Sequence, residues 1–175
     1  MKRLAFMLLA AVMLAAVIVA AEARSSAGAD DAAVAIGGGQ LPAGYRDWRF
    51  ISVAHEEGEL HSFASVLGND VAIKAFREKT LPFPDGTIIC SLHYRHVPSE
   101  ENNKVFGREQ SFVPGPPTNI QFMVKDSKKY ASTGGWGFFQ FNEGKPFTDH
   151  EKIQGCFDCH AMNQGRDLVF SRYAP

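Results

Sequence analysis

The sequence predicts one α+β domain in which strands outnumber helices. Three observations lead there. Five segments rich in β-branched and aromatic residues are separated by Pro, Gly and Asp turn signals. Helical spacing is confined to two stretches, Asp70 to Lys79 and Thr148 to His160. The chain has 175 residues, 45% of them hydrophobic, which suits a single core. Eighteen Lys and Arg against nineteen Asp and Glu leave a net charge of −1, without the basic excess that nucleic-acid binding requires.

The first 23 residues read as an export signal. Lys2 and Arg3 precede the apolar run Leu4 to Ala21, and Ala21-Glu22-Ala23 offers small residues to a peptidase. A membrane anchor is the competing reading, since the run approaches the roughly 20 residues that span a bilayer, but no basic stop-transfer flank follows. Residues 24–44, Ala-, Gly-, Ser- and Asp-rich without an aromatic side chain, are expected to be a flexible leader, with the folded domain occupying 45–175.

Tyr45 to Val53 alternates imperfectly, as a half-buried strand does, and Leu60 to Leu67 reads as a second extended segment. Asn69 is placed to cap a helix over Asp70–Lys79, which Leu81-Pro82-Phe83-Pro84-Asp85-Gly86 ends. Thr87 to Tyr94 is a strand, in which Ile89, Ser91 and His93 share one face and Ile88, Cys90 and Leu92 the other. His93 is expected to be an exposed strand-end residue and Cys90 a buried free thiol. Pro98 to Glu109 and Pro114-Gly115-Pro116-Pro117 read as loops. Asn119 to Val124 and Trp136 to Phe141 read as strands, Lys125 to Tyr130 leaves room for a helical turn between them, and Leu168-Val169-Phe170 is a last extended piece.

The chemistry is concentrated near the C-terminus, where Cys156-Phe157-Asp158-Cys159-His160 forms a Cys-x-x-Cys-His sequence. This is the attachment signal for a c-type haem. Two thiols at this spacing can each add to a vinyl group, and the adjacent imidazole can ligate the iron. A zinc site or a redox dithiol also uses Cys-x-x-Cys. Zinc would have to recruit Cys90 and a histidine such as His150, and a dithiol would be expected after a strand in a βαβ unit. One covalently attached haem c, with Cys156 and Cys159 as anchors and His160 as iron ligand, is therefore expected. For the sixth position, Met162 is too near His160 in sequence to reach the opposite haem face. Met123, His55, His61, His93, His96 and His150 are candidates, and an open position is the expectation.

Tyr45-Arg46-Asp47-Trp48, Pro84-Asp85-Gly86-Thr87, Val124-Lys125-Asp126-Ser127-Lys128, Trp136-Gly137-Phe138, the haem motif and Asp167-Leu168-Val169-Phe170 follow one another over Leu41 to Pro175 in an order that resembles the cytochrome P-460 family. The resemblance implies a predominantly antiparallel β-sheet with flanking helices, a haem-attachment helix at the C-terminus, a homodimer and a five-coordinate haem. Family members that oxidise hydroxylamine carry a lysine cross-linked to the haem, a carboxylate proton relay and an arginine. Aligned on the family's pattern, these positions hold Ser91, Gln121 and Ala64 here. The distal pocket, with Ile89 beside Ser91, is thus expected to be uncharged and closer to the cytochrome c′-beta branch, which lacks the cross-link. Phe63, Phe122, Phe138 and Phe139 are candidates for its bulk.

The resulting expectation is a periplasmic mono-haem cytochrome that binds nitric oxide or another small nitrogen-oxide or diatomic ligand. Hydroxylamine oxidation and simple electron transfer to a periplasmic redox partner are the alternatives.

Overall fold

The computed structural model describes residues 28–58 and 60–174. The proposed export signal lies outside them. Six strands form one antiparallel sheet in sequence order: β1 (Arg49–Glu56), β2 (Ser62–Gly68), β3 (Ile88–Pro98), β4 (Phe112–Lys125), β5 (Trp136–Asn142) and β6 (Lys145–Pro146). Every neighbour pairs with its sequence neighbour, so each connection stays local. The helices are α1 (28–37), α2 (Asp70–Glu78), α3 (Glu100–Phe106) and α4 (His150–His160). The α+β class, the antiparallel sheet and the C-terminal helix agree with the sequence reading.

The sheet carries a separate apolar cluster on each face. On one, Ile88, Cys90, Leu92, Phe122, Val124 and Phe141 pack with Ala32 and Ile36 of α1. On the other, Ile89, Val66 and Met123 join Ala72, Ile73 and Ala75 of α2, Trp136, and Leu168 and Val169 of the tail. Residues Ile88 and Ile89 therefore serve different cores, as the two-residue period of a strand requires.

Several local expectations are corrected. Where a flexible leader was expected, residues 28–37 are helical and bury Ala29, Ala32 and Ile36. Alanine needs no aromatic partner to favour a helix, and its small side chain lets the helix lie close to the sheet. Glu100–Phe106 is a helix, not a loop: Ser99 caps it by accepting from the Asn102 amide, and Glu100 and Glu101 stand in its first turn. None of its residues is buried, so no apolar periodicity announced it.

Pro114 to Pro117 lie inside β4 rather than in a loop. The β3–β4 register shifts around Tyr94, and β5 pairs only with Ile120 to Lys125. The proline segment thus borders an irregular pairing on one side and an unpaired edge on the other, where a missing N–H costs little. Leu168-Val169-Phe170 forms no strand. Asp167 and Leu168 adopt left-handed φ values of 50° and 66°, and the amides of Leu168 and Val169 donate to Asn163 and Arg166 carbonyls.

Asn69 behaves as expected and does more. Its Oδ1 accepts from the amides of Ala72 and Ile88, at 3.0 and 3.1 Å, while Nδ2 donates to the Gly86 carbonyl at 2.8 Å. One side chain therefore caps α2 and locks it to the start of β3. Gly68 precedes it because nothing larger fits: a Cβ there would lie 2.7 Å from Ile51 Cδ1 and 2.8 Å from Ala72 Cβ. Ile51 reaches that spot because the β1–β2 register shifts between Phe50 and Ser52.

Candidate functional site

Between the α2- and tail-bearing face of the sheet and helix α4 lies a cavity of about 620 Å³. Cross-strand register explains its floor. Ser52, Val66, Ser91, Gln121 and Gln140 form one row across five strands, and Ala54, Ala64 and His93 begin the next. All of these line the cavity. The opposite wall comes from Ile153, Cys156, Cys159 and His160 of α4 and from Val169 to Ala174.

Asp149 starts α4 by accepting from the Lys152 amide at 3.1 Å. Cys156, Cys159 and His160 follow at i, i+3 and i+4, which places all three on one helical face. Both thiols are free; Cys156 is half-buried and Cys159 exposed. Burial, with Cys159 adding to it, pushes the Cys156 thiol above its ordinary pKa.

The His160 imidazole is fixed from several sides. Its Nδ1 lies 2.7 Å from the Leu168 carbonyl oxygen. A carbonyl only accepts, so Nδ1 carries the proton and Nε2 presents a lone pair. This is the arrangement that orients a metal-ligating histidine. Phe138 and Phe170 flank the ring at centroid distances of 5.1 Å each. Burial lowers the His160 pKa, and the hydrogen bond to Leu168 opposes that shift.

The Leu168 carbonyl is itself held. Asp167, its neighbour, accepts from Lys125 Nζ at 2.8 and 2.9 Å and from the Phe83 amide at 2.8 Å. The Asp167 carbonyl accepts from Trp136 Nε1 at 2.8 Å. Lys125 also donates to the Gly134 carbonyl at 3.1 Å and lies over the Trp136 ring. The sequence reading found the Asp167-Leu168 segment but no role for Lys125 or Trp136.

All seven predicted site residues, Ala64, Ile89, Ser91, Gln121, Cys156, Cys159 and His160, line this one cavity. Cys90 does not; it is fully buried in the core on the opposite face, where burial raises its pKa. It is therefore out of reach as a fourth zinc ligand. Met162 is 78% exposed, whereas Met123 is buried in the core beside the cavity.

His55, His61 and His96 cluster elsewhere: His96 Nδ1 lies 3.2 Å from His61 Nε2, and the His55 and His96 rings are 4.3 Å apart. Phe63 packs with them, while Phe138 stands against Phe157 and His160. Phe122 and Phe139 contribute to the cavity lining but pack with the opposite core.

Two expectations need correction here. His93 is buried, not exposed, and the sheet face is not free of ionisable groups. Ser91 Oγ and His93 Nε2 are 3.0 Å apart, and His93 Nδ1 lies 3.9 Å from Glu56 Oε2. Glu56, His93 and Ser91 all line the cavity. Desolvation lowers the His93 pKa, with Glu56 partly offsetting it. Alternation placed His93 beside Ser91, but no sequence pattern showed that Glu56, two strands away, would face them.

A family model described as Cytochrome P460 matches residues 42–171. The chain belongs to this family. It is thus a haem cytochrome, and the Cytochrome P460 match spans the whole sheet, α4 and the tail that holds His160. A search of curated proteins finds no match. The residues present suit a haem: the cavity falls within the ordinary range for ligand sites, and a tautomerically fixed imidazole faces it beside two free thiols. Bound there, a haem supplies an iron able to take small axial ligands or exchange electrons.

Proposed function

We propose that this chain is an exported mono-haem c-type cytochrome that binds nitric oxide or a similar small diatomic or nitrogen-oxide ligand. Cys156 and Cys159 would hold the haem through thioether bonds, and His160 Nε2 would ligate its iron. The observation that carries this reading is the state of the side chains that compete for the other axial position. Of the candidates named from sequence, His93 and Met123 line the cavity. His93 Nε2 is engaged by Ser91 Oγ at 3.0 Å, and its Nδ1 is turned to the Glu56 carboxylate 3.9 Å away. Met123 is packed into the core with Ile89 and Trp136. The position is left to an exogenous ligand.

Among the described residues lining the cavity there is no lysine, and Ser91 has neither the amine nor the reach to cross-link a haem edge. This favours ligand binding over hydroxylamine oxidation. Export to the periplasm rests on Lys2, Arg3, the apolar run and Ala21-Glu22-Ala23. A homodimer and a periplasmic redox partner belong to the same reading.

Two measurements test it. Mass spectrometry of the mature protein is expected to find a haem adduct on the peptide containing Cys156 and Cys159. The ferrous absorption spectrum is expected to be high-spin, without a strongly red-shifted Soret band, and to change on adding nitric oxide. A tail peptide without an adduct, or a low-spin spectrum unaltered by nitric oxide, overturns the reading.

A further inference from the structure

Glu56, His93 and Ser91 come from two strands that do not touch. β2 lies between β1 and β3, so their backbones are about 10 Å apart at the usual strand spacing. The side chains on β2 that intervene are Ser62 and Ala64, both small. Ser62 Oγ lies 3.4 Å from Glu56 Oε2, and Ala64 stands directly opposite His93. Glu56 therefore reaches over β2 to the imidazole, and Ser91, two residues along β3, continues the chain into the cavity. Side-chain exposure falls along it, from 37% at Glu56 to 10% at His93. Glu56 is the more solvent-exposed of that pair, and all three side chains border the ligand space.

This order fits the handling of a proton. A carboxylate beside Nδ1 favours the tautomer protonated there, so Nε2 accepts from the Ser91 hydroxyl. If Nε2 gains a proton it becomes a donor to Ser91 Oγ, and the hydroxyl hydrogen turns towards the cavity. The Glu56 carboxylate then faces the new positive charge. Around His93, β2 and β4 set Ala64 and Asn119 opposite it, α4 brings Cys156, Cys159 and His160 to the same cavity, and the tail brings Arg172.

We propose that the cavity binds weak-acid ligands as the neutral acid, the Glu56–His93–Ser91 chain holding the proton and the resulting anion accepting a hydrogen bond from Ser91. The balance is simple: HX loses its proton to His93 Nε2, X⁻ stays in the cavity, and nothing is oxidised or reduced. The inference rests on the open axial position proposed above and extends it from neutral diatomics to small anions such as azide or nitrite. Burial lowers the His93 pKa, so the imidazole is neutral before the ligand enters, and the negative charges of Glu56 and of the bound anion then favour the protonated form.

The test is a spectroscopic azide titration of the purified ferric holoprotein across pH, with proton uptake followed in weakly buffered solution. Because azide is ionised near neutral pH, one proton must enter with each anion, and apparent affinity is expected to fall about tenfold per pH unit above the His93 pKa. His93→Gln is expected to abolish both the slope and the uptake. Ser91→Ala, a smaller change at a half-buried site, is expected to weaken azide binding at low pH. A pH-independent affinity in the unaltered protein, or a slope that persists in His93→Gln, overturns the proposal. Carbon monoxide, which carries no proton, reports separately on the ferrous protein. If it binds while azide affinity shows no pH dependence, only the proton-uptake inference is lost. If neither ligand binds, the open-position reading falls with it.

Discussion

Adjacent residues of β3 face two different environments. Ile88, Cys90 and Leu92 meet α1 and the rings of Phe122 and Phe141 in a core with almost no exposed surface. Ile89, Ser91 and His93 face the cavity beneath α4. The first face is closed from within by apolar side chains that fill it. The second is held open from its margins: α2 is pinned by Asn69, and the tail is pinned by Asp167, Lys125 and Trp136. A cavity in a small domain needs this arrangement, because side chains that would otherwise fill it are absent and polar ties must fix its walls.

The largest effect is expected where those ties are removed. Lys125 and Asp167 are 6% and 13% exposed, so Lys125→Met leaves a buried carboxylate with the Phe83 amide as its remaining hydrogen-bond donor. Breaking one side of such a pair costs about 3–5 kcal/mol. Urea denaturation of Lys125→Met should show a loss of that size. A loss below about 1 kcal/mol would mean that the tail is held by its apolar contacts alone, and the contrast between the two faces would fail.

A somewhat smaller loss is expected on the closed face. Ile36 on α1 is 1% exposed, within the core formed by Ile88, Cys90 and Phe122. Ile36→Ala should lower stability by about 2–5 kcal/mol, the range for a large-to-small change in a packed core. Thermal or chemical denaturation checks this. An unchanged midpoint would return residues 28–37 to the role of a dispensable leader.

The sequence revealed the fold where periodicity or capping carried the signal. β3 was visible as a β-branched run, α2 as a capped apolar repeat, and α4 through the motif it bears. It failed where an element forms without an apolar or β-branched period to announce it. α1 buries alanines, which read as low complexity; α3 has a cap but no apolar face; and β4 tolerates prolines because β5 leaves that stretch unpaired. For the site, the residues named from the motif and the family pattern line one cavity. The missing part was the reach of Glu56 across β2 to His93, a contact between residues 37 positions apart that depends on the smallness of Ser62 and Ala64.

The smallest effects give the sharpest comparison, because they involve neighbouring residues of nearly equal size. Ser91→Ala removes one hydrogen bond, to His93 Nε2, at a half-buried position beside a cavity. The freed nitrogen can be solvated there, so the cost should stay near 1 kcal/mol or below. Cys90→Ser makes an equally slight change in the opposite sense, placing a hydroxyl where the thiol is fully buried among Leu67, Ile88 and Phe122. An unpartnered hydroxyl in such surroundings costs about 1–3 kcal/mol. Parallel urea titrations should therefore find Cys90→Ser the more destabilised. Equal losses would mean that the Cys90 side admits water or offers a hydrogen-bond partner, and that it is not the sealed face of this sheet.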